Sequence, residues 1–374
     1  MRPLLIGIDA SRATLQQRTG TEGYSLQVIR EMIALDSPHR FRLYVRGTPP
    51  EGLFPDHPRV EICLVKRPRL WTHLALGPEV RQSDLDVLFV PAHVIPWPNT
   101  GSIPSVVTIH DLGYMHYPDT HRFMDRMYLS WSTQHSASVA SRVIVVSKAT
   151  AHDLVSLHNI QSDKVRVVYS GVDELLRPQA DQQHLESVRE LLGTTRPYIL
   201  HVGSIQPRKN LSRLIEAFAI VHQDHPDLAL VLAGKQAWKA RGIFQRIQTL
   251  SLKDDVILPG YVPDKHLAAL YSSASVYAFP SLYEGFGFPA IEAMACGTPV
   301  VCSNSSSLPE LVGDAALTVA PTDVQGLAKA INRVLSDAGL RDGLIQRGLA
   351  RVEQFTWQRA AAQTLDVLIE AATC

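Results

Sequence analysis

Cysteine is scarce in this chain, with four in 374 residues: Cys63, Cys296, Cys302 and Cys374. None stands in a Cys-x-x-Cys spacing, so neither a zinc site nor a disulfide framework is indicated, and a reducing compartment fits. Net charge is missing as well. The 36 Lys+Arg balance the 36 Asp+Glu, which argues against a nucleic-acid partner. No apolar run is long enough to span a bilayer, and Leu4 to Ile8 is too short for a signal-peptide core. The expected location is the cytoplasm, with peripheral contact at the inner membrane face as the closest approach to lipid. A Gly-x-Gly-x-x-Gly fingerprint is absent after the first apolar run, and no acidic residue ends a second strand at the required distance. A nicotinamide cofactor is therefore excluded on spacing. No Ser-His-Asp or Cys-His arrangement is apparent, so a covalent protein nucleophile is unsupported. Asp84 and Asp86 have the look of metal ligands but precede the strand Val87–Val90, at the amino end of a sheet. They read as a solvated turn. No cofactor and no metal are expected.

What is present is an ordinary globular composition, 45% hydrophobic and 19% charged, over a length that suits two domains. The chain is organised around one stretch. Val276–Phe279 reads as a buried parallel strand, followed by Ser281-Leu282-Tyr283-Glu284-Gly285-Phe286-Gly287-Phe288-Pro289. The glycines permit a tight turn, and Pro289 has the fixed φ suited to a first helical turn. Ile291, Met294 and Ala295 give that helix an apolar face, and Gly297-Thr298-Pro299 stops it before the next strand. The loop thus sits at the carboxyl end of a strand in a βαβ unit, where open α/β sheets bind ligands. The helix start would welcome a phosphate. Glu284 in the loop and Glu292 in the helix flank that anion site. Carboxylate acceptors beside an anion site suit a ligand that carries both phosphate and hydroxyls, such as a nucleotide sugar.

Glu-Gly-Phe-Gly-Phe-Pro followed by Glu-Ala-Met-Ala-Cys-Gly-Thr-Pro-Val resembles the Glu-x7-Glu signature of family 4 retaining glycosyltransferases. That resemblance covers most of the chain, strongest over 198–320 and loosest over 10–75. It implies an α/β fold of the GT-B class: two Rossmann-like parallel-sheet domains facing a central cleft, with a C-terminal helix crossing back to the first. Domains are expected at 1–173 plus 357–374, on the acceptor side, and at 174–356, on the nucleotide-sugar side. The implied reaction moves a hexose, mannose first and glucose next, from a GDP-mannose or UDP-glucose type of donor to a polysaccharide or lipid-linked glycan hydroxyl. Configuration is retained, and no metal is required.

Further candidates follow along the chain. Leu4–Asp9 reads as the first strand, and Thr19-Gly20-Thr21-Glu22-Gly23-Tyr24 as a loop before a helix from about Gly23. Glycines there let a backbone approach a diphosphate; Gly20 and Gly23 stand equally for donor contact or plain turn duty. His110-Asp111 comes directly after the strand Val106–Ile109, at the ligand edge. The resemblance puts His110 against the donor sugar. A helix over about 119–140 presents Phe123, Met127 and Trp131 at helical spacing, expected to be a core face. Arg122 and Arg126 are interleaved with them, open to an acidic lipid or simply to solvent. Ser147 reads as a helix cap, and the polar residues 174–196 as an interdomain link that holds a helix near Leu185–Leu192.

The second unit begins with Tyr198–Val202 and the loop Gly203-Ser204-Ile205-Gln206-Pro207-Arg208-Lys209-Asn210. Two adjacent cations on a strand-to-helix loop are the partner a diphosphate needs. As loop charges, Arg208 and Lys209 are expected to carry little stability. The resemblance makes them pyrophosphate ligands, gives Glu284 the transferred sugar and Glu292 the ribose, and adds Ser204, Val262, Phe286, Gly287 and Phe288 as donor-binding. Two other functions share these features: a GT-B nucleotide-sugar epimerase, which would act without an acceptor, and a non-catalytic sugar-nucleotide binder, which would bind without turnover.

Overall fold

Apolar runs of four or five residues alternate with amphipathic segments along most of the chain, and each such run forms a parallel strand. Strands covered by helices on both faces must be apolar throughout, unlike the alternating strands of half-solvated sheets. Ser105–Ile109 and Ala229–Ala233 are buried at all five positions. The computed structural model describes residues 2–15, 20–67, 70–92, 94–120, 122–179, 181–237 and 239–373.

Contacts divide the chain into two units: 1–115, 123–171 and 355–374 in the first, 116–122 and 172–354 in the second. The first unit runs β1 (Leu5–Asp9), α1 (Gly20–Ala34), β2 (Arg40–Val45), β3 (Val60–Leu64), α2 (Gly77–Arg81), β4 (Val87–Val90), β5 (Ser105–Ile109), α3 (Gly113–His116), α4 (Phe123–Val139), β6 (Arg142–Val145), α5 (Lys148–His158) and β7 (Val165–Val167). Its sheet has the order β3-β2-β1-β4-β5-β6-β7, parallel throughout. The second unit runs α6 (Gln182–Leu192), β8 (Tyr198–Val202), α7 (Leu211–Asp224), β9 (Ala229–Ala233), α8 (Arg241–Thr249), β10 (Val256–Gly260), α9 (Asp264–Ser272), β11 (Val276–Phe279), α10 (Phe288–Ala295), β12 (Val300–Ser303), α11 (Leu308–Val312), β13 (Ala316–Val319), α12 (Val324–Ser336) and α13 (Ala338–Val352). Its parallel sheet has the order β10-β9-β8-β11-β12-β13. Both sheets reverse their winding beside the first strand, the switch point where doubly wound folds open a crevice.

The last helix, α14 (Trp357–Thr373), belongs to the first unit and packs along α1. Trp357 meets Tyr24 edge-on at 5.8 Å. Gly171 passes against the start of α14, so closely that a Cβ there would lie 2.6 Å from the Thr356 carbonyl carbon.

Several expectations are corrected. Phe123, Met127 and Trp131 are not core: they are 63%, 54% and 45% exposed, alongside Met124 at 72% and Tyr128 at 50%. Periodicity registers a stripe but not what covers it. The buried face of α4 is instead small and polar: Ser132, Thr133, Ser136 and Ala137. Gly20 and Gly23 lie inside α1 and not in a loop before it, with Glu22 buried between them; Thr19 falls outside the described residues. The helix expected near Leu185–Leu192 within the 174–196 link is α6, and its Val188 and Leu192 join the core of the second unit. Helix α8 escaped notice because only Ile243 and Ile247 are buried on an otherwise polar surface. Ser147 does cap α5, accepting from the Thr150 N–H at 3.1 Å. Asp84 pairs with Arg42 at 2.8 Å, and Asp86 accepts from the Leu5 N–H at 2.8 Å, so this pair staples the amino edge of the sheet.

The glycines give a paired prediction. Gly171→Ala overpacks the seat of α14 and should cost about 1–3 kcal/mol, lowering Tm by several degrees. Gly23→Ala adds a Cβ that meets nothing among the described residues within 4 Å and removes a helix-interior glycine, so Tm should hold or rise. Thermal melts of both variants check the contrast, and equal losses would contradict it.

Candidate active site

The site residues of the second unit come from the two strands that flank its switch point. Strand β8 ends in the loop that carries Arg208 and Lys209; β11, hydrogen-bonded beside it through Val276↔Ile199 and Tyr277↔Leu200, ends in the loop that carries Glu284. Sheet order therefore brings together groups 75 residues apart. Gly203 and Gly234 sit at φ +149° and +148°, conformations that favour glycine. Asn210 starts α7 in the left-handed conformation and donates from Nδ2 to the carbonyls of Pro280 (2.9 Å) and Pro321 (2.6 Å). The Leu282 N–H donates to the Arg208 carbonyl at 2.9 Å. The loops are thus cross-stapled by their backbones.

Glu284 is buried between both cations. Lys209 Nζ donates to Oε1 at 2.7 Å, and Arg208 Nη1 approaches Oε2 at 3.2 Å while donating to the Tyr283 carbonyl at 2.6 Å. Burial by itself would raise the carboxyl, but Lys209 and then Arg208 overcome it and hold Glu284 at about 2. Lys209 is only 7% exposed, and its ammonium lies 5.0 Å from the centre of the Phe279 ring. This corrects the expectation that these loop charges carry little stability. Removing one partner of a buried pair leaves a charge uncompensated, a loss of roughly 3–5 kcal/mol. Ser306 and Ser307, which the sequence did not single out, hold the same loop. Ser306 Oγ accepts from the Glu284 N–H at 2.8 Å, and Ser307 Oγ donates to the Glu284 carbonyl at 3.0 Å.

Glu292 lies four residues after the start of α10 and is half-buried. The Tyr271 hydroxyl, another group the sequence did not mark, donates to Oε2 at 2.8 Å. Burial pushes the Glu292 carboxyl up to about 7, with Asp173 and Asp264 adding to the rise. Gly287, at φ +120°, precedes α10; a Cβ there would lie 2.7 Å from Leu308 Cδ2. Phe286 is buried and meets the half-buried Phe288 edge-on at 5.0 Å. Ser204 Oγ accepts from Gln206 Nε2 at 2.7 Å. The Val262 side chain is buried in the core beneath β10 and α9.

Of the sequence candidates, Ser204, Arg208, Lys209, Val262, Glu284, Phe286, Gly287, Phe288 and Glu292 lie in the second unit, and Gly20, Gly23 and His110 in the first. His110 follows β5, and its Nε2 donates to the Pro91 carbonyl at 2.8 Å, just beyond the end of β4. The Tyr24 ring meets it edge-on at 4.7 Å. The ring is thereby fixed at the carboxyl edge of the first sheet, 8% exposed. Asp111 Oδ1 accepts from the Gly113 N–H at 2.9 Å, a turn-holding contact.

Two family profiles match most of the chain: Glycosyltransferase Family 4 over residues 18–174 and Glycosyl transferases group 1 over 183–351. The O-antigen chain mannosyltransferase B of Escherichia coli is 32% identical over 263 residues, 70% of this chain and 69% of that protein. The chain belongs to glycosyltransferase family 4. As a family 4 member it is a hexosyltransferase. The serotype-specific mannosyltransferase WbdA of Escherichia coli is 29% identical over 293 residues, 75% of this chain but only 34% of that protein's length. Among solved structures, the sucrose-phosphate synthase of Thermosynechococcus elongatus superposes with a TM-score of 0.77, 24% identity and 98% coverage of both chains. The fold is GT-B.

The two glutamates of this glycosyltransferase respond to pH with opposite signs. Glu284, held low, contributes stability above the ordinary carboxyl range that is lost as pH falls towards about 2. Glu292, raised from 4.5 to about 7, contributes stability below 4.5 that is lost as pH rises through about 7. Glu292→Gln removes that loss, so the Tm of the variant relative to wild type should increase from pH 5 to pH 8. A difference that stays flat across the range would contradict the assignment.

Proposed function

We propose that this enzyme transfers a hexose, mannose in the first instance, from a nucleoside-diphosphate sugar to a hydroxyl of a polysaccharide or lipid-linked glycan, with retention at the anomeric carbon. The observation that carries the proposal is the Arg208–Glu284–Lys209 cluster at the switch point of the second sheet. Two cations against one carboxylate leave net positive charge where a diphosphate would lie. As the bond from the anomeric carbon to the diphosphate oxygen breaks, Arg208 and Lys209 stabilise the departing charge, the demand that pre-organised dipoles and charges meet in transferases. The departing phosphate oxygen takes the proton of the acceptor hydroxyl as the new glycosidic bond forms on the same face. Glu292 accepts from ribose hydroxyls, Glu284 from the transferred sugar, and His110 contacts that sugar. The charge demand is met by side chains, so no metal is invoked. Mannose is favoured because the similar O-antigen chain and serotype-specific enzymes are named mannosyltransferases; GDP-mannose is the first donor to test and UDP-glucose the second.

The acceptor is a lipid-linked glycan on this reading. The exposed Phe123, Met124, Met127, Tyr128 and Trp131 of α4 form an apolar and aromatic face of the kind that marks contact surfaces. The His73 ring meets Trp131 edge-on at 6.2 Å, and Leu74 and Trp97 extend the exposed apolar surface. The Arg126 guanidinium lies 5.6 Å from the centre of the Phe123 ring, a cation beside the apolar stripe that suits an acidic headgroup. Among the described residues, no helix is long and apolar enough to cross a membrane.

One assay tests the proposal. Donor is supplied with a lipid-linked glycan, either in phosphatidylglycerol-containing vesicles or in detergent, in excess EDTA. Transfer should persist in EDTA, and Arg208→Ala and Lys209→Met should each lower turnover about a hundredfold. The Met124→Ser/Trp131→Ser double variant should lose transfer on vesicles and keep it in detergent. Complete loss in EDTA reversed by Mg²⁺, or an epimerised nucleotide sugar in place of a glycosylated product, would overturn the reading.

A further inference from the structure

His201 is the buried histidine that the proposed chemistry leaves unused. It is the fourth residue of β8 and 0% exposed. Its Nδ1 lies 3.1 Å from the Ala278 carbonyl of the neighbouring β11. A carbonyl can only accept, so Nδ1 carries the proton and Nε2 the lone pair. That Nε2 atom is buried with no hydrogen-bond partner among the described residues. Buried acceptors are ordinarily satisfied, and one that is not calls for an explanation.

The direction in which Nε2 faces supplies one. A Cβ placed on Gly203 would lie 3.4 Å from His201 Nε2, 3.5 Å from Lys209 Cε and 3.9 Å from Lys209 Nζ. The imidazole and the end of the lysine thus border the same small space over a glycine held at φ +149°. No side chain at position 203 stands between them. Phe279 closes the arrangement, 5.7 Å from the His201 ring and 5.0 Å from Lys209 Nζ.

We infer that His201 is a positioning residue for Lys209: its Nε2 lone pair offers the ammonium a second acceptor beside Glu284. The inference rests on the reading of Lys209 as a diphosphate ligand. An ammonium presents three donors that rotate about one bond, and each acceptor around it narrows their direction. Glu284 accepts one of them. A second acceptor bordering the ammonium narrows its rotation and favours the orientation in which it meets the phosphates. The chemistry of that acceptor matters. Arg208 and Lys209 against Glu284 leave one positive charge, and a second carboxylate would cancel it. An imidazole does not, because burial, and then the Lys209 charge, hold its pKa down at about 4. Histidine at this position therefore orients the cation and preserves its charge.

A double-variant cycle read by titration calorimetry tests this, because a role confined to packing would not couple to Lys209. GDP, UDP and ADP are titrated into wild type, His201→Phe, Lys209→Met and the combined variant, with thermal midpoints recorded on the same samples. For whichever nucleotide binds, His201→Phe should weaken affinity about tenfold and Lys209→Met by more. The combined variant should match Lys209→Met to within twofold. His201→Gln, which returns an oxygen acceptor, should stay within about threefold of wild type. Should His201→Phe fail to fold, His201→Met takes its place in the cycle. An equal loss in both backgrounds, or none in either, overturns the role of His201 while leaving Lys209 in place. Unchanged affinity in Lys209→Met, or no binding of any of the three nucleotides by wild type, overturns the reading beneath it instead.

Discussion

A carboxylate buried between two cations is the constraint on which the second unit depends. Glu284 cannot be left without Lys209 and Arg208, nor they without it, because an uncompensated charge at such depth is strongly destabilising. The cluster exists only where β8 and β11 are neighbours, and that adjacency is the point at which the sheet reverses its winding. Sheet topology, the two positive-φ glycines and the Asn210 staples all hold the cluster in register. On the proposed function, a diphosphate arriving there would meet donors already oriented. Little reorganisation would then remain when charge develops on the leaving group.

The same physics separates the two glutamates of the signature. Both are carboxylates within nine residues of sequence, yet one is held at about 2 by cations and the other raised to about 7 by burial. Glu284 is an ionised counter-charge throughout the neutral range, while Glu292 titrates within it. The difference comes from these environments and not from the side chain they share, and it suits the separate roles proposed for them. The Tyr271 hydroxyl on Glu292 and the Ser306 and Ser307 contacts on the Glu284 loop are the supports that keep the environments distinct.

Sheet strands and the motif at the end of β11 were legible in the sequence because parallel strands buried on both faces read as unbroken apolar runs. The placement of Arg208, Lys209, Glu284 and Glu292 was legible because strand-loop-helix order fixes which loops lie at the carboxyl edge. Pairing between those loops was not. Nothing local to Lys209 announces a partner 75 residues away, so the cations read as diphosphate ligands that carry little stability and not as members of a buried ion-pair cluster. The face of α4 failed for the opposite reason: helical spacing at Phe123, Met127 and Trp131 was real, but spacing does not say whether anything covers a stripe. Gly20 and Gly23 resembled a turn because glycine is a poor helix former, and packing of Tyr24 against Trp357 and His110 overrode that preference. Tyr271 and His201 carry no motif at all. Their significance comes from which side chain faces them.

The central claim is that the Arg208–Glu284–Lys209 cluster is the seat of the donor diphosphate. A crystal structure with bound nucleoside diphosphate tests it most directly. The account predicts phosphate oxygens within hydrogen-bonding distance of Arg208 and Lys209, with the ribose hydroxyls on Glu292. Diphosphate bound elsewhere, with the Glu284 ion pairs unengaged by ligand, would contradict it.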